Sequence, residues 1–341
     1  MIRNFYGNAE VVATLEQMLA GGRLQQTLLL AGPEGVGKAT LARRFAGALL
    51  GEHERLEQDD LSLESNVVLI ADREKWPSEK RVDDPLLFAS HPDFLTFPPD
   101  GPLRQISIQQ IRLLKERAQY KPLRGGRRVF FIDHLDRANE QAANSLLKVM
   151  EEPPEHLILI ATAENVYDLL PTIRSRSVIL HLNRLNDDEM ASFVKARGLD
   201  QAERRLRLAE GSPGIAVSLD LAAYDKRRNA MLVLLQVAAK LAPFSNWVRY
   251  SEQIGASKSD KLDAYLKVLY TLFEDLLWLQ LGRETIRNVD VKKELRAIAE
   301  ARDFTWIQRG VRRVDEIVEF VRRNIQKSIA LDALIVHLQT H

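Results

Sequence analysis

The residues from Gly32 to Lys38 have the types and spacing of a phosphate-binding loop. They read Gly-Pro-Glu-Gly-Val-Gly-Lys and follow the apolar run Leu28–Ala31. Glycines let consecutive backbone N–H groups turn toward one centre, and the N-terminus of a following helix adds a partial positive charge there. The lysine would supply a full charge near the outer phosphates. The residues expected to contact a nucleotide in this loop are Gly32, Gly35, Gly37 and Lys38.

The residue after the lysine argues against magnesium-dependent hydrolysis in this loop. Phosphate loops that bind Mg²⁺ have Ser or Thr there, and this chain has Ala39. Thr40 is the nearest hydroxyl and a further candidate, but one step along a helix turns a side chain by about 100°. We therefore expect a phosphate-loop fold, and we leave open whether ATP or ADP is bound there without hydrolysis.

A second block with chemical potential runs from Arg128 to Ser177. Val129–Ile132 is a short apolar run that ends in Asp133, as in a buried parallel strand that delivers a carboxylate to the carboxyl edge of a sheet. Asn139 can cap the next helix, Pro153–Pro154 end it, and a second apolar strand follows at Leu157–Thr162. Asp133 is thus predicted to join the phosphate loop at one ligand-binding edge.

The elements around these blocks predict an α/β fold followed by helices. Residues 1–182 alternate apolar strands with amphipathic helices, which is typical of a parallel sheet wound with helices on both faces. A capping box at Ser107 and Gln110 opens one of these helices, and Glu52–Asp84 is read as a polar surface insertion. Short helices are expected at Asp187–Ala196, Gln201–Glu210 and Ile215–Ala223.

Longer helices are predicted toward the C-terminal end, with two apolar faces. These faces are Leu262, Leu266, Leu269, Phe273, Leu276 and Leu277, and then Val314, Ile317, Val318 and Val321. The predicted domains are a nucleotide-binding domain over 1–182, a helical lid over 183–236 and a helical domain over 237–341. The apolar faces fit an ordinary bundle core or an oligomer contact, and both interpretations stay open.

Composition removes several classes of site. The chain has 341 residues, a formal net charge of +1 and no cysteine. Disulfides, thiol catalysis and thiolate zinc sites are therefore excluded. Because the segment Gly51–His91 has only His53 and His91 as imidazoles, we expect no zinc. No charged-then-apolar leader and no run of about 18 apolar residues occur, so we expect a cytoplasmic protein without a membrane span.

Taken together, these motifs resemble the clamp-loader subunits of the AAA+ family, and most closely the delta-prime type of the bacterial DNA polymerase III clamp loader. The segments that carry the resemblance are GPEGVGK, RRVFFID, SLLKVMEEPP, PTIRSRS and NIQKSIALDALIVHL. The resemblance implies an AAA+ module, a small lid and a helical collar that forms a ring. The implied partners are the gamma/tau and delta subunits, with the sliding clamp and primer–template DNA reached through the complex.

The resemblance also implies that this chain does not turn over ATP. Active members have a glutamate after the metal-associated aspartate, where this chain has His134. His134 could accept a proton, but a surface histidine is the favoured interpretation. Active members also have an arginine after the turn that opens the last lid helix, where this chain has Ile215. The polar sensor falls between Thr162 and Asn165, with the alignment open.

PTIRSRS is the most specific segment, since it looks like the Ser-Arg-Cys motif that presents an arginine finger to a neighbouring subunit. Arg176 matches the motif arginine, and Arg174 lies beside it. A guanidinium suits this role because it stays charged and offers a planar fork of donors. The alternative is that both arginines only solvate a strand start.

Three further arginines flank the Gly125–Gly126 turn, and their role stays open between a solvated turn, which is favoured, and DNA phosphate contact. They are Arg124, Arg127 and Arg128. The rival functions for the whole chain are an active AAA+ ATPase and a small-molecule kinase with a phosphate loop.

Overall fold

The computed structural model describes residues 2–22, 24–124, 126–257, 262–321 and 326–340. By internal contacts, two compact units are present. The first comprises residues 1–202 and 209–217, and the second comprises 203–208 and 218–341. The predicted domain boundaries at 182/183 and 236/237 stay a prediction.

The first unit is built on a six-stranded sheet with the order β2-β3-β4-β5-β1-β6. All pairings are parallel except β2 with β3. The strands are β1 (Thr27–Ala31), β2 (Phe88–His91), β3 (Phe94–Phe97), β4 (Arg128–Ile132), β5 (Leu157–Ala163) and β6 (Val178–His181). The predicted α/β fold class, a parallel sheet followed by helices, is confirmed.

Eleven helices of four residues or more begin in this part of the described chain. They are α1 (Ala9–Ala20), α2 (Lys38–Leu50), α3 (His53–Leu56), α4 (Glu64–Arg73), α5 (Ser78–Asp83), α6 (Ile108–Ala118), α7 (Glu140–Glu151), α8 (Pro171–Arg174), α9 (Asp187–Arg197), α10 (Ala202–Ala209) and α11 (Pro213–Ser218). Short 3₁₀ turns lie at Glu57–Asp59, Leu135–Arg137 and Val166–Asp168.

Alternation along the central strands gives the sheet two buried faces. Leu29, Phe130 and Leu159 pack with α6 and α7, whereas Leu28 and Phe131 pack with α1 and α2 on the other side. The burial of both faces explains why these strands are continuous apolar runs.

Local capping was predicted correctly for two helices. The Ser107 hydroxyl accepts a hydrogen bond from the Gln110 backbone N–H and completes a capping box at α6. The Asn139 side chain accepts from the Ala142 N–H at 2.9 Å and opens α7. Both caps satisfy donors that a helix start leaves unpaired.

One expectation about the helices that follow the sheet was wrong. The helix expected at Ile215–Ala223 is interrupted, because α11 ends at Ser218 and Asp220 caps a new helix by accepting from the Ala223 N–H. The insertion Glu52–Asp84 contains α3, α4 and α5, and buried side chains anchor it. Arg73, for example, is 4% exposed and pairs with Asp100 at 2.8 Å.

The second unit contains a helical bundle with its own core. Its helices are α12 (Leu221–Ala238), α13 (Ser245–Ala256), α14 (Leu262–Gln280), α15 (Lys292–Ala301), α16 (Phe304–Val321) and α17 (Lys327–Thr340). Trp247, Phe273 and Trp306 are among its buried side chains. No helix in the described ranges is long and apolar enough to cross a membrane.

The two predicted apolar faces contribute to this bundle. The α14 residues are buried, apart from the half-buried Leu277. On α16, Val314 and Ile317 are buried whereas Val318 is 42% exposed. The side chain of Val321 lies outside the described residues.

Candidate functional site

The predicted phosphate loop lies between β1 and α2, at the carboxyl edge of the sheet. The Gly32 N–H donates to the Ala163 carbonyl at 3.1 Å. The φ angle of Gly32 is +149°, and a Cβ there would lie 2.2 Å from the Leu182 carbonyl oxygen. Only glycine fits at this position, because both the backbone conformation and the close approach of Leu182, which follows β6, exclude a side chain.

The ammonium group of Lys38 is held by the loop itself. The side chain is buried, and its Nζ donates to the Gly32 carbonyl at 2.6 Å and to the Pro33 carbonyl at 2.7 Å. Burial lowers the pKa of Lys38, and the nearby carboxylates of Glu164 and Asp133 oppose that shift. Two of its three donors are therefore used inside the loop, where a phosphate would otherwise accept them.

The turn that opens α11 closes on the same loop. The Gly214 N–H donates to the Gly35 carbonyl at 2.7 Å. A Cβ at Gly35 would lie 2.8 Å from Cγ1 of Ile215, which stands at the position where the resemblance implies an arginine in active ATPases. The Ile215 side chain thus packs directly against Gly35 of the loop.

Asp133 meets the phosphate loop at this edge, as predicted. The Thr162 hydroxyl donates to Asp133 Oδ1 at 2.6 Å and accepts from the His134 backbone N–H at 2.8 Å. Thr162 is therefore the polar residue in contact with Asp133. The Asn165 side chain instead accepts from the Tyr167 N–H at 3.1 Å and caps a 3₁₀ turn.

His134 has a left-handed backbone, with φ at +54°. Its imidazole lies among carboxylates, with Nδ1 3.8 Å from Glu164 Oε1 and 3.9 Å from Asp136 Oδ1. That Nδ1 is buried and has no hydrogen-bond partner within the described ranges. It is a half-buried side chain rather than the surface histidine expected from the sequence.

The remaining carboxyl-edge candidates lie on neighbouring elements. Gly37 precedes α2 with φ at +98° beside the Phe5 ring, and Thr40 is half-buried on α2. The structure thus brings the glycines, Lys38 and Asp133 together. Across the described part of the chain, no group of three or more His, Cys, Asp or Glu residues could hold a metal ion.

Arg176 lies elsewhere, in the turn between α8 and β6. Its Nη1 donates to the Thr172 carbonyl at 3.1 Å, and its Nη2 pairs with Glu151 Oε1 at 3.0 Å. The Arg176 side chain is 35% exposed and that of Glu151 is 49% exposed. Arg174 points to a different neighbour, because its guanidinium lies 5.2 Å from the centre of the Tyr167 ring.

The parallel register places Arg176 at the opposite edge of the sheet from the phosphate loop. β6 runs beside β1, with Val178 opposite Leu28 and His181 opposite Ala31. Arg176 precedes this pairing and Gly32 follows it. At about 3.3 Å per residue, four paired positions separate the two by roughly 13 Å along the strands.

The amino edge of the sheet contains a cavity of about 740 Å³. Residues that precede β1, β4, β5 and β6 line it, together with the end of α7. Its polar lining includes Gln25, Gln26, Arg127, Glu151, Glu155, Ser175, Arg176 and Ser177.

Sequence reasoning missed Glu151 and misjudged Arg128. Glu151 was read only as part of a helix end, and nothing local indicates its pairing with a residue 25 positions away. Arg128 is 5% exposed and donates to the Arg117 carbonyl at 2.7 Å and the Tyr120 carbonyl at 3.2 Å. It supports the preceding loop, so the solvated-turn interpretation was wrong for this residue.

Curated relatives of this chain include subunits of bacterial DNA polymerase III. The delta-prime subunit of Escherichia coli K12 is 28% identical over 205 residues, which cover 59% of this chain and 60% of that protein. The delta-prime subunit of Pseudomonas aeruginosa is 31% identical over 160 residues, covering 46% and 44%. A gamma/tau subunit of Mycobacterium bovis is 32% identical over 171 residues, covering 50% and 26%. The alignments thus span less than two thirds of each relative.

Among solved structures, a protein related to the gamma subunit of DNA polymerase III from Thermotoga maritima aligns over 95% of this chain and 98% of its own. The TM-score is 0.48 and the identity is 19%.

A family model described as "DNA polymerase III, delta subunit" matches residues 7–186. The match contains both edges of the sheet, the phosphate loop and Arg176, and it covers more than half of the chain. The chain therefore belongs to the DNA polymerase III delta subunit family.

Proposed function

We propose that this chain is a non-hydrolysing clamp-loader subunit of DNA polymerase III that completes the ATP site of a neighbouring subunit with Arg176. In this role it would help to hold open a ring-shaped sliding clamp for loading onto primed DNA during replication. The observation that carries the proposal is the position of Arg176 at the edge of the sheet opposite the chain's own phosphate loop.

That position favours action on another molecule. The Arg176 side chain is partly exposed, and about 13 Å of parallel sheet lies between it and Gly32. An arginine cannot span that distance through a packed sheet. A nucleotide that meets this guanidinium must therefore be carried by a neighbour, where a positive fork would stabilise charge on the transferred phosphoryl group.

The carboxyl edge supports the absence of hydrolysis. Ala39 offers no hydroxyl for Mg²⁺, and His134 stands where a carboxylate would orient water. Lys38 donates to its own loop, and Ile215 covers Gly35. Each change removes a group that stabilises the transition state of phosphoryl transfer. ATP or ADP could still bind there without turnover.

The proposed partners follow from the family. Gamma/tau and delta subunits would form the ring, and the sliding clamp and primer–template DNA would be contacted by the assembled complex. The helices beyond residue 237 would supply contacts that do not depend on nucleotide, and the complex would act in the cytoplasm.

Reconstitution with an Arg176→Ala variant tests the proposal. Turnover at the site facing Arg176 should fall by about 10³–10⁵, the range for an arginine supplied in trans. Clamp-stimulated ATPase and clamp loading are measured after gel filtration has verified assembly. Arg174→Ala is the matched control, because it removes the same charge two residues away. An intact Arg176→Ala complex with wild-type loading and turnover would leave only a scaffold role.

The rival function, an active ATPase, is tested on the purified chain. Asp133 and Thr162 keep a hydrogen-bonded arrangement that an active site would also use. We expect no turnover above buffer. A rate within the ~1–100 s⁻¹ of phosphoryl-transfer enzymes that disappears in Lys38→Ala would reject the proposal.

A further inference from the structure

Arg127 differs from the two other arginines that flank the same turn. Arg124 pairs with Glu52 at 2.9 Å, and Arg128 is buried 3.7 Å from Asp93. Arg127 donates to the backbone carbonyl of Glu155, and among the described residues no carboxylate lies within ion-pair distance of it. A carbonyl accepts a hydrogen bond but carries no net charge, so the positive charge of Arg127 has no direct counterion.

The same arginine lines the amino-edge cavity together with Arg176. The cavity volume of about 740 Å³ is within the range of ligand pockets, roughly 300–1,000 Å³. Ser175 and Ser177 also line it, and their hydroxyls donate to the Thr172 carbonyl at 3.1 Å and the Ile173 carbonyl at 2.8 Å. The lining thus brings two guanidinium forks into one cavity, beside the carboxylates of Glu151 and Glu155. A guanidinium fork has the donor geometry that fits phosphate oxygens.

We propose that Arg127 is a second arginine that contacts the phosphates of the nucleoside triphosphate held by the neighbouring subunit. This inference rests on the proposed function of Arg176, because it assumes that the neighbour's nucleotide is presented at this edge. Arg127 would bind the polyphosphate, whereas Arg176 would stabilise the charge that develops during transfer.

The Glu151 carboxylate explains why nucleotide binding at this edge would need a second arginine besides Arg176. In the structure Glu151 is paired with Arg176 at 3.0 Å. When phosphate draws Arg176 away, Glu151 is left as an unpaired negative charge in the lining of the cavity, and it would repel the nucleotide. A second guanidinium in the same cavity offsets that repulsion through charge, with no change in the fold.

The test uses a reconstituted complex in which only the neighbouring subunit keeps its own phosphate-loop lysine, so that one site turns over. Arg127→Gln removes the charge and keeps an amide donor for the Glu155 carbonyl. One hydrogen bond to a charged group corresponds to about a ten- to hundred-fold change, and we expect kcat/KM for ATP to fall by that factor. Arg127→Lys keeps the charge but not the planar fork of donors. Its kcat/KM for ATP should therefore lie between those of wild type and Arg127→Gln.

Arg124→Gln is the matched control, since Arg124 flanks the same turn and lies outside the cavity lining. It should leave kcat/KM unchanged, and thermal unfolding and gel filtration of every variant should match wild type. A lower kcat/KM in Arg127→Gln with unaltered assembly supports the inference.

Arg176→Ala in the same complex separates the two proposals. If it lowers turnover while Arg127→Gln does not, Arg127 has no role in phosphate binding and only the arginine finger stands. If neither variant changes kcat/KM, both proposals fail. If the loss in Arg127→Gln follows a loss of assembly or of unfolding temperature, Arg127 acts through the fold and the inference is overturned.

Discussion

The positive charges at the carboxyl and amino edges of the sheet have opposite environments. At the carboxyl edge Lys38 is buried, and its ammonium group donates to two carbonyls of its own loop. At the amino edge Arg176 is partly exposed and is held by an ion pair with a carboxylate that is itself half exposed. The first charge is directed inward and the second is available to another molecule.

The contacts that hold Arg176 and Lys38 also differ in strength. An exposed ion pair contributes about 0–1 kcal/mol, so phosphate can readily replace Glu151 as the partner of Arg176. Freeing Lys38 would break two hydrogen bonds that are charge-assisted and buried, and these are stronger. The comparison supports the proposal that the phosphate loop has a structural role and that the reactive charge lies at the other edge.

If the loop is structural, Gly32→Ala should be strongly destabilising. The new methyl would lie 2.2 Å from the Leu182 carbonyl on a backbone with φ at +149°. We expect the free energy of unfolding of the sheet unit to fall by about 3 kcal/mol or more, from strain and displacement of β6 together. Urea denaturation measures this change.

Gly51→Ala is the control for that substitution. Gly51 also has a positive φ, +83°, but nothing lies within 4 Å of a Cβ there. Its cost should be limited to the left-handed backbone, about 1–2 kcal/mol. Equal losses of unfolding free energy in Gly32→Ala and Gly51→Ala would mean that the close contact at Gly32 does not add to the cost of the substitution.

Glu151→Gln sharpens the comparison at the amino edge. The amide keeps the shape of the side chain but removes the charge that competes with phosphate for Arg176. An exposed ion pair of up to about 1 kcal/mol corresponds to at most a fivefold change. We expect turnover at the neighbouring site of the assembled complex to rise by about two- to fivefold.

The adjacent Glu152 provides a matched control for this test, since it has no ion pair with Arg176. Glu152→Gln should leave turnover unchanged. A fall in turnover with Glu151→Gln would contradict the prediction, because it would mean that Glu151 holds Arg176 in its working orientation.

The sequence predicted those features that depend on neighbouring residues. Features that depend on contacts within a few positions include the strands that contain Leu28 and Val129, the capping box at Ser107 and the cap at Asn139. The convergence of the phosphate loop with Asp133 was also predicted, because the carboxyl ends of parallel strands share one edge.

The contacts on which the proposed function rests could not be predicted in this way, because they join distant positions. The pairing of Arg176 with Glu151 and the position of Arg127 in the same cavity depend on how helix and strand ends meet in space. Lys38 was expected to face phosphate, and its binding to Gly32 and Pro33 depends on the loop conformation. One wrong prediction concerned neighbouring residues: the helix expected over Ile215–Ala223 is interrupted because Asp220 caps a new helix.

Lys38→Met should give the smallest effect, although it removes the lysine on which phosphate loops depend. The side chain keeps a similar length and loses the charge, so any ATP bound at this chain's own loop would be weakened. Because the proposed chemistry uses the opposite edge, turnover and clamp loading by the assembled complex should stay within about twofold of wild type. This expectation follows from a lysine that already donates to the Gly32 and Pro33 carbonyls.

The measurement pairs Lys38→Met with Arg176→Ala in one reconstitution series, with thermal unfolding recorded for each. Loss of the two carbonyl contacts can lower stability, so only variants that assemble fully are compared. A loss of turnover in Lys38→Met that equals the loss in Arg176→Ala would mean that both edges serve catalysis. If Lys38→Met retains turnover while Arg176→Ala loses most of it, the contribution of this chain lies at the amino edge of its sheet. Each variant removes one positive charge, Lys38→Met at the carboxyl edge and Arg176→Ala at the amino edge.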